Sequence, residues 1–568
     1  MNDNPTFLAN QRAAQAGTLV YEEVLKEIEN PMDVAEATLL KIIDDNKDTE
    51  YGRKHHFGTI SSIEDYQEKV PVITYEDIAG EMKRMMEGQR NVLTAYGFDH
   101  MNQTSGTIGA MKFIPMTSEQ TAMFVKYNRN YTDGLMAKTL GSDWMQYRAF
   151  CTAEGCHRTL PSGITVGSAC SKMVDYIGGH DRADAIMRTM YTSPIDASAP
   201  VPGTDSKYLH ARFFLEEKHV GGIVCSFFSM AVLYLKYIAD NYRMLINDIR
   251  TGTVDPSVSI AAEARKSVEG KLSPNPVRAA ELEQIFRDGP AFPFIPAVWP
   301  EMQYIAGVGA DGFSNFDKMI TERYGGGHLR RIYSGVTASE GLFSIPVGLD
   351  NPDCVLAPGA GFMEFLPVEA EDDFSRIVTM DRLEAGKIYE IIYTNFSGLY
   401  RYRMSDAVLC TGFLGKTPLV QFMYRVNRTV NLVGEKTTEK AIALSVKKAT
   451  EDLGIKMEAY TMYPNAEVLP VRYDFLIETR DGTVPDIPAE DVSKAIHEAL
   501  CHFNAVYGDC AGVCRTIGLP EVGWLEKGAN DRYIDFMVAN GSSPSQTKPA
   551  GIITNDAQKR FFYSLRKG

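Results

Sequence analysis

The sequence predicts an α/β protein in two parts. A large N-terminal unit of mixed α/β layers carries a β-rich subdomain, and a smaller α+β unit follows it. Three observations lead there. The chain has 568 residues, too many for one hydrophobic core. Alternating helical and extended segments run to about residue 350 and give way to strand-like runs through about 425. Beyond Arg428 the pattern starts again. We place the boundary at Asn427–Thr429, giving units 1–428 (β-rich subdomain about 350–425) and 429–568, the second large enough to fold and move as one body.

The elements read as follows. Asn30-Pro31 supplies a cap and a first-turn proline for a helix whose Val34, Leu39, Leu40 and Ile43 share a side. Residues 101–115 read as strand, loop, strand. Val220–Leu235 is apolar, uncharged and shorter than the roughly 20 residues that cross a bilayer, and reads as a buried helix. Lys387–Asn395 and Val420–Val426 read as strands. Thr438 caps a helix with Ile442, Val446, Ala449 and Leu453 on one face, ended by Gly454. From Val471 to Glu478 apolar and charged residues alternate, predicting a half-buried strand, and a helix covers Ala489–Phe503.

Bulk properties narrow the function. A net charge of −15 argues against nucleic-acid binding, which needs a basic face, but leaves room for a local basic pocket. The N-terminus lacks the apolar core of a signal peptide, no segment reads as a membrane span, and nine cysteines form no regular framework. A reducing cytoplasm is the expected location. Cys501-His502, Cys510 and Cys514 match no common zinc spacing and read as scattered thiols.

Thr104–Lys112 reads Thr-Ser-Gly-Thr-Ile-Gly-Ala-Met-Lys. It lacks the Gly-Lys-Ser/Thr ending of the kinase-type phosphate loop. Gly106 and Gly109 let backbone approach phosphate oxygens, Thr104, Ser105 and Thr107 offer hydroxyls, and Lys112 adds a positive charge. A solvated Ser/Gly turn is the plain alternative. Three further pieces follow in order: Thr337-Ala-Ser-Glu340, Tyr400-Arg-Tyr-Arg-Met-Ser-Asp406, and Tyr424-Arg425…Arg428…Gly434.

The Ser-Gly-Thr-x-Gly-x-x-Lys loop is similar to the signature loop of the adenylate-forming superfamily. More closely, the chain resembles the GH3 family of acyl-acid amido synthetases, including its bacterial members. Asp65-Tyr66…Val70–Asp77, Val298-Trp299-Pro300, Phe362–Pro367, Gly398–Arg403 and Gln546-Thr547-Lys548-Pro549 carry the resemblance almost end to end. It implies an adenylate-forming fold with a mobile C-terminal domain. It also implies an ATP- and Mg²⁺-dependent ligase that adenylates a carboxylic acid and passes the acyl group to an amino acid's amine.

The same resemblance implies roles for single residues. Ser339 and Glu340 lie near adenine and metal, a carboxylate beside a triphosphate making sense chiefly as a Mg²⁺ ligand. Asp406 accepts ribose hydroxyls, Arg425 lies near the ribose, and Arg428 is the hinge. Lys548 enters the site during adenylation, where with Lys112 and Mg²⁺ it offsets charge on the triphosphate and leaving pyrophosphate. The plain alternatives are a surface acid, strand-end arginines and a tail lysine.

Some positions depart from the family pattern. Ile108 replaces a hydroxyl residue, Val336 an aromatic and Ser405 a glycine; Pro549 follows the lysine directly, and Ala550 replaces a basic residue. Competing readings are an acyl-CoA ligase on the same scaffold and a non-catalytic nucleotide-binding protein. The resemblance lines the acid pocket partly with the helix at about Glu119–Leu135 and partly with middle-domain segments. On that helix Met123, Phe124, Tyr127 and Tyr131 suit an aromatic or apolar acid and equally suit core packing, and Arg129 could meet a polar substituent.

Overall fold

The computed structural model describes residues 4–103, 112–155, 157–167, 179–310, 314–370, 372–426, 429–430, 432–433, 435, 437–512, 516–539 and 551–567. The described residues form two compact units. One contains residues up to Phe422 except Ser405–Ala407; the second contains Ser405–Ala407 and the residues from Met423 onward.

The first unit opens with two helices, Pro5–Glu29 and Pro31–Asn46. The second is the expected one: Pro31 begins it and Leu39, Ile42 and Ile43 are buried. Asn30 makes no side-chain capping bond there, its carbonyl and proline neighbour alone marking the start. The first helix, unread in the sequence, carries the same Asn-Pro start, and Asn4 accepts from the Thr6 and Phe7 amides.

Three sheets organise this unit. In one, Phe98–Gln103 pairs antiparallel with Phe113–Thr117 and parallel with Thr165–Gly167, so the two strands flanking the glycine loop are hydrogen-bonded to each other. A parallel sheet has the order Arg148–Cys151, Val220–Phe227, Tyr304–Val308, Arg330–Tyr333. Tyr191 bridges the free side of the first of these at Ala149, so chain order reverses at that strand. The third sheet has seven strands, in the order Ser344–Pro346, Cys354–Leu356, Thr417–Arg425, Tyr402–Leu414, Ile388–Thr394, Phe362–Pro367, Val378–Thr379, of which Ser405–Ala407 and Met423–Arg425 are counted with the second unit.

Val220–Leu235 corrects the expected single helix. Val220–Phe227 is a strand, and the helix begins at Phe228 and runs to Thr251. The β-branched Val220, Ile223 and Val224 favour extended chain. Gly221 and Gly222 disfavour helix, and a side chain at Gly222 would stand 2.4 Å from the Tyr304 ring. Burial on both faces erased the alternation that marks a half-buried strand. Trp299 anchors the helical layer on this sheet: it stacks on Phe214 at 3.9 Å and donates Nε1–H to the Phe214 and Glu217 carbonyls.

In the second unit Met457–Asn465, Arg472–Thr479 and Glu521–Trp524 form a three-stranded sheet. The helices Glu439–Asp452 and Ala489–Phe503 match expectation, with Thr438 accepting from the Ala441 amide and Gly454 at φ +67°. The central strand is not half-buried: residues 473–479 are all buried. Its acids are satisfied by near neighbours and by later chain. Asp474 accepts from Asn465 at 2.7 Å, Arg472 at 2.8 Å and the Tyr563 hydroxyl at 2.6 Å. Glu478 accepts from the Gly528 and Asn530 amides. Among the described residues no helix is long and apolar enough to cross a membrane.

Candidate active site

The strand Phe98–Gln103 leads into the glycine loop, and Lys112 stands immediately before its partner Phe113–Thr117. Beside this strand end lies the short hairpin Thr337–Ala338 and Gly341–Leu342, whose two-residue turn is Ser339-Glu340. Two buried asparagines fix that turn. Asn102 donates Nδ2–H to the Ser339 carbonyl at 3.1 Å, and Asn395 donates to the Glu340 carbonyl at 2.7 Å. Asn395 is itself held by the Ser397 and Leu399 amides, which donate to its Oδ1. Gly341 packs so closely on Tyr393 that a Cβ would lie 2.6 Å from the ring.

The folded chain therefore brings the base of the loop, Lys112 and Ser339-Glu340 into one neighbourhood of the first unit, although more than two hundred residues separate them. Glu340 is only 5% exposed. Among the described residues no group of three His, Cys, Asp or Glu side chains is placed to cage a metal. A single buried acid suits Mg²⁺ held mainly by phosphate oxygens and water.

Tyr400–Asp406 is largely structural at its start. Arg401 forms a two-pronged ion pair with Glu364, both contacts 2.9 Å, and donates to the Gln67 and Val70 carbonyls at 2.9 Å. Arg401 and Ser405 both have positive φ, +45° and +60°. The second value puts Ser405, where the resemblance leads to an expected glycine, in the left-handed region that is open to glycine and costly for serine. Asp406 is 5% exposed in the strand Tyr402–Leu414. Arg425 ends the strand Thr417–Arg425; its side chain lies outside the described set. Thr104, Ser105, Gly106, Thr107, Ile108, Gly109, Arg428, Gly434, Lys548, Pro549 and Ala550 also lie outside the described residues.

The helix expected at the acid pocket is present and runs on from Ser118–Phe124 through a π-helical turn, Val125–Asn130, into Tyr131–Thr139, with helical backbone at both junctions. Tyr127 and Tyr131 belong to the core, donating to Glu27 at 2.6 Å and to the Pro346 carbonyl at 3.0 Å. Arg129 is committed to Asp133 at 2.8 Å and to the Tyr191 hydroxyl. Met123 and Phe124 remain half-buried. Val336 packs partly against the core and its amide donates to Ser344 Oγ at 2.8 Å.

A polar interior at the carboxyl end of Arg148–Cys151 was not read from sequence. Burial pushes the Glu154 carboxyl up to about 7, against a hydrogen bond with Ser206. Burial pushes His210 down to about 3, and its Nδ1 lies 2.7 Å from Ser193 Oγ. Thr152 Oγ1, Thr192 Oγ1, Ser198 Oγ and His210 Nε2 are buried without a hydrogen-bond partner among the described residues, an arrangement that calls for ordered water or ligand. The available signal was Thr152-Ala-Glu154 directly after an apolar strand, at the point where sheet order reverses.

Comparison with known proteins decides the family. The GH3 family N-terminal domain matches residues 20–329, its central domain 354–425 and its C-terminal domain 438–557. The chain belongs to the GH3 family. Its curated relatives include a probable indole-3-acetic acid-amido synthetase, GH3.11, of Oryza sativa subsp. japonica, 28% identical and covering 96% of both chains. The jasmonoyl--L-amino acid synthetase GH3.5 of the same plant is 26% identical, covering 95% of this chain and 96% of its own. Among solved structures, the GH3.15 acyl acid amido synthetase superposes with a TM-score of 0.84 at 23% identity, over 96% of this chain and 95% of its own. A 2-hydroxyisobutyryl-CoA ligase has a TM-score of 0.51 at 12% identity, over 94% and 92%. These two likenesses place this GH3 protein in the adenylate-forming fold.

Proposed function

We propose that this protein uses ATP to adenylate a carboxylic acid and then transfers the acyl group to an amino acid's amine, giving an amide, AMP and pyrophosphate. The observation that carries the reading is the pinning of Ser339-Glu340 by Asn102 on the strand that opens into the Ser-Gly-Thr loop. Relatives with near full-length coverage are named as an acid-amido synthetase and an acyl–amino acid synthetase, which supports the amide product.

In the first step a carboxylate oxygen attacks the α-phosphorus and pyrophosphate leaves. Attacker and target are both negative, so the site must supply positive charge and hold it in place. Lys112 supplies one fixed cation at the mouth of the loop. Glu340 would hold Mg²⁺, which supplies further charge neutralisation when bound. Lys548 supplies the second protein cation, and Asp406 and Arg425 hold the ribose. In the second step the unprotonated amine attacks the acyl carbon, the C–N bond forms and the C–O bond to AMP breaks. The two steps need different groups at one carbon. We assign their exchange to rotation of a domain 429–568 about Arg428 against a domain 1–428. With Tyr127, Tyr131 and Arg129 engaged elsewhere, Met123 and Phe124 remain to favour an apolar or aromatic acid.

The test is a product assay with ATP, a panel of aryl, indolyl and aliphatic acids, and either amino acids or CoA as acceptor. Amide formed only with amino acids supports the proposal. Thioester formed only with CoA overturns it in favour of an acyl-CoA ligase, and AMP release with no acid overturns both.

A further inference from the structure

We propose that Tyr75 and Tyr402 are positioning residues that form an aromatic clamp around Lys112 and aim its ammonium before the nucleotide arrives. This rests on the reading of Lys112 as a cation for the triphosphate. Lys112 donates to the Tyr402 hydroxyl at 3.2 Å, its Nζ standing beyond the hydroxyl end of that ring at 5.8 Å from the centroid, and the Tyr75 ring centroid lies 5.5 Å from the same Nζ. The Tyr75 hydroxyl accepts the Phe113 amide at 3.1 Å, so one side chain fixes the backbone next to the lysine and also faces its charge.

The chemistry of the partners matters. Among the described residues those that hold Lys112 are two phenols, not a carboxylate. A carboxylate would neutralise the ammonium and compete with phosphate for it. A ring face and a neutral hydroxyl fix its direction while leaving the charge available. A free lysine would have to lose the freedom of a long flexible side chain on meeting ATP; the clamp removes much of that cost beforehand.

The clamp is built by two stretches far apart in sequence. Ile73 bridges Tyr402, its amide donating to the Arg401 carbonyl at 3.1 Å and its carbonyl accepting from the Arg403 amide at 2.8 Å. Two residues on, Tyr75 starts the helix Tyr75–Met86, closed by a capping box in which Asp77 accepts from Thr74 at 2.8 and 2.9 Å. On the other side the buried Arg401–Glu364 pair fixes the chain next to Tyr402. The Val70–Asp77 and Gly398–Arg403 stretches thus join to set one ring and one phenol hydroxyl beside one ammonium.

A double-mutant cycle tests this, read as kcat/KM for ATP in carboxylate-dependent ATP–pyrophosphate exchange. Tyr402→Phe keeps the buried ring and removes only the hydroxyl. It is expected to lower the value about tenfold, the size of one hydrogen bond to a charged group. Tyr75→Leu, at a half-buried position, removes the second ring and lowers the value several-fold. In a Lys112→Ala background Tyr402→Phe should have no further effect, because clamp and lysine act as one unit, and Tyr75→Leu should keep only the smaller loss that comes from releasing the Phe113 amide. Equal losses with and without Lys112, or no loss in Tyr402→Phe, overturn the clamp alone. Wild-type exchange in Lys112→Ala overturns the reading of Lys112 itself, and the clamp with it. Urea midpoints of the variants separate misfolding from mispositioning, since a folding defect persists in the Lys112→Ala background.

Discussion

Glu154→Gln should change how stability depends on pH, and the structure sets the size of the change. In the unfolded chain a glutamate titrates near 4.5; in the fold, burial raises Glu154 to about 7. The folded form therefore binds the extra proton between these values. The stability this group contributes is full below 4.5 and is lost as pH rises to about 7. At 1.36 kcal/mol per unit the loss is about 3 kcal/mol. His210 acts oppositely. Burial lowers it from 6.5 to about 3, so its contribution is full above 6.5 and falls by about 5 kcal/mol as pH drops to 3. Between 4.5 and 6.5 the two slopes cancel. Glu154→Gln removes one of them, leaving stability that falls steadily with acid below 6.5. Native-state hydrogen exchange of the amides in Val220–Phe227 reads this locally in a chain of two units. The gap between wild type and Glu154→Gln should widen in favour of the variant by about 3 kcal/mol from pH 5 to pH 8. A gap independent of pH would refute the reasoning.

Three further outcomes are expected. Arg401→Ala should cost about 3–5 kcal/mol, read from the urea midpoint, because it leaves the buried Glu364 charged and unpaired; adding Glu364→Gln should recover part of the loss. Ser405→Gly should raise the melting temperature, gaining up to about 1 kcal/mol, since a left-handed residue pays more as serine than glycine pays in unfolded-chain entropy; Ser405→Val should lower it. Lys548→Ala should slow adenylation by roughly 10²–10³-fold in single-turnover assays and spare amide formation from pre-made acyl-adenylate.

The fold was legible where local chemistry is distinctive. Thr438, Gly454 and the apolar face between them gave a helix the structure reproduces, and Phe98–Gln103 and Phe113–Thr117 flank the loop as expected. It was illegible where burial on both faces hides periodicity. Val220–Phe227 read as helix because nothing polar alternates in it. The strand holding Asp474 and Glu478 read as half-buried because part of what covers those acids lies fifty to ninety residues later. The same holds for the site. Lys112 and Ser339-Glu340 stood out as motif residues, whereas Tyr75, Asn102, Asn395 and Tyr402 gain meaning only from partners far along the chain. Met123, Phe124, Tyr127 and Tyr131 looked alike in sequence; full burial and hydrogen bonds to Glu27 and Pro346 separate the core tyrosines from Met123 and Phe124, which pack only partly against the same core.

The most direct measurement is ATP–pyrophosphate exchange catalysed by the full chain with and without carboxylic acids. Formation of an acyl-adenylate at one site requires labelled pyrophosphate to enter ATP only when a suitable acid is present, and the exchange to vanish in Glu340→Ala. Exchange that ignores the acid, or its absence with every acid in a chain that still binds ATP, contradicts that claim.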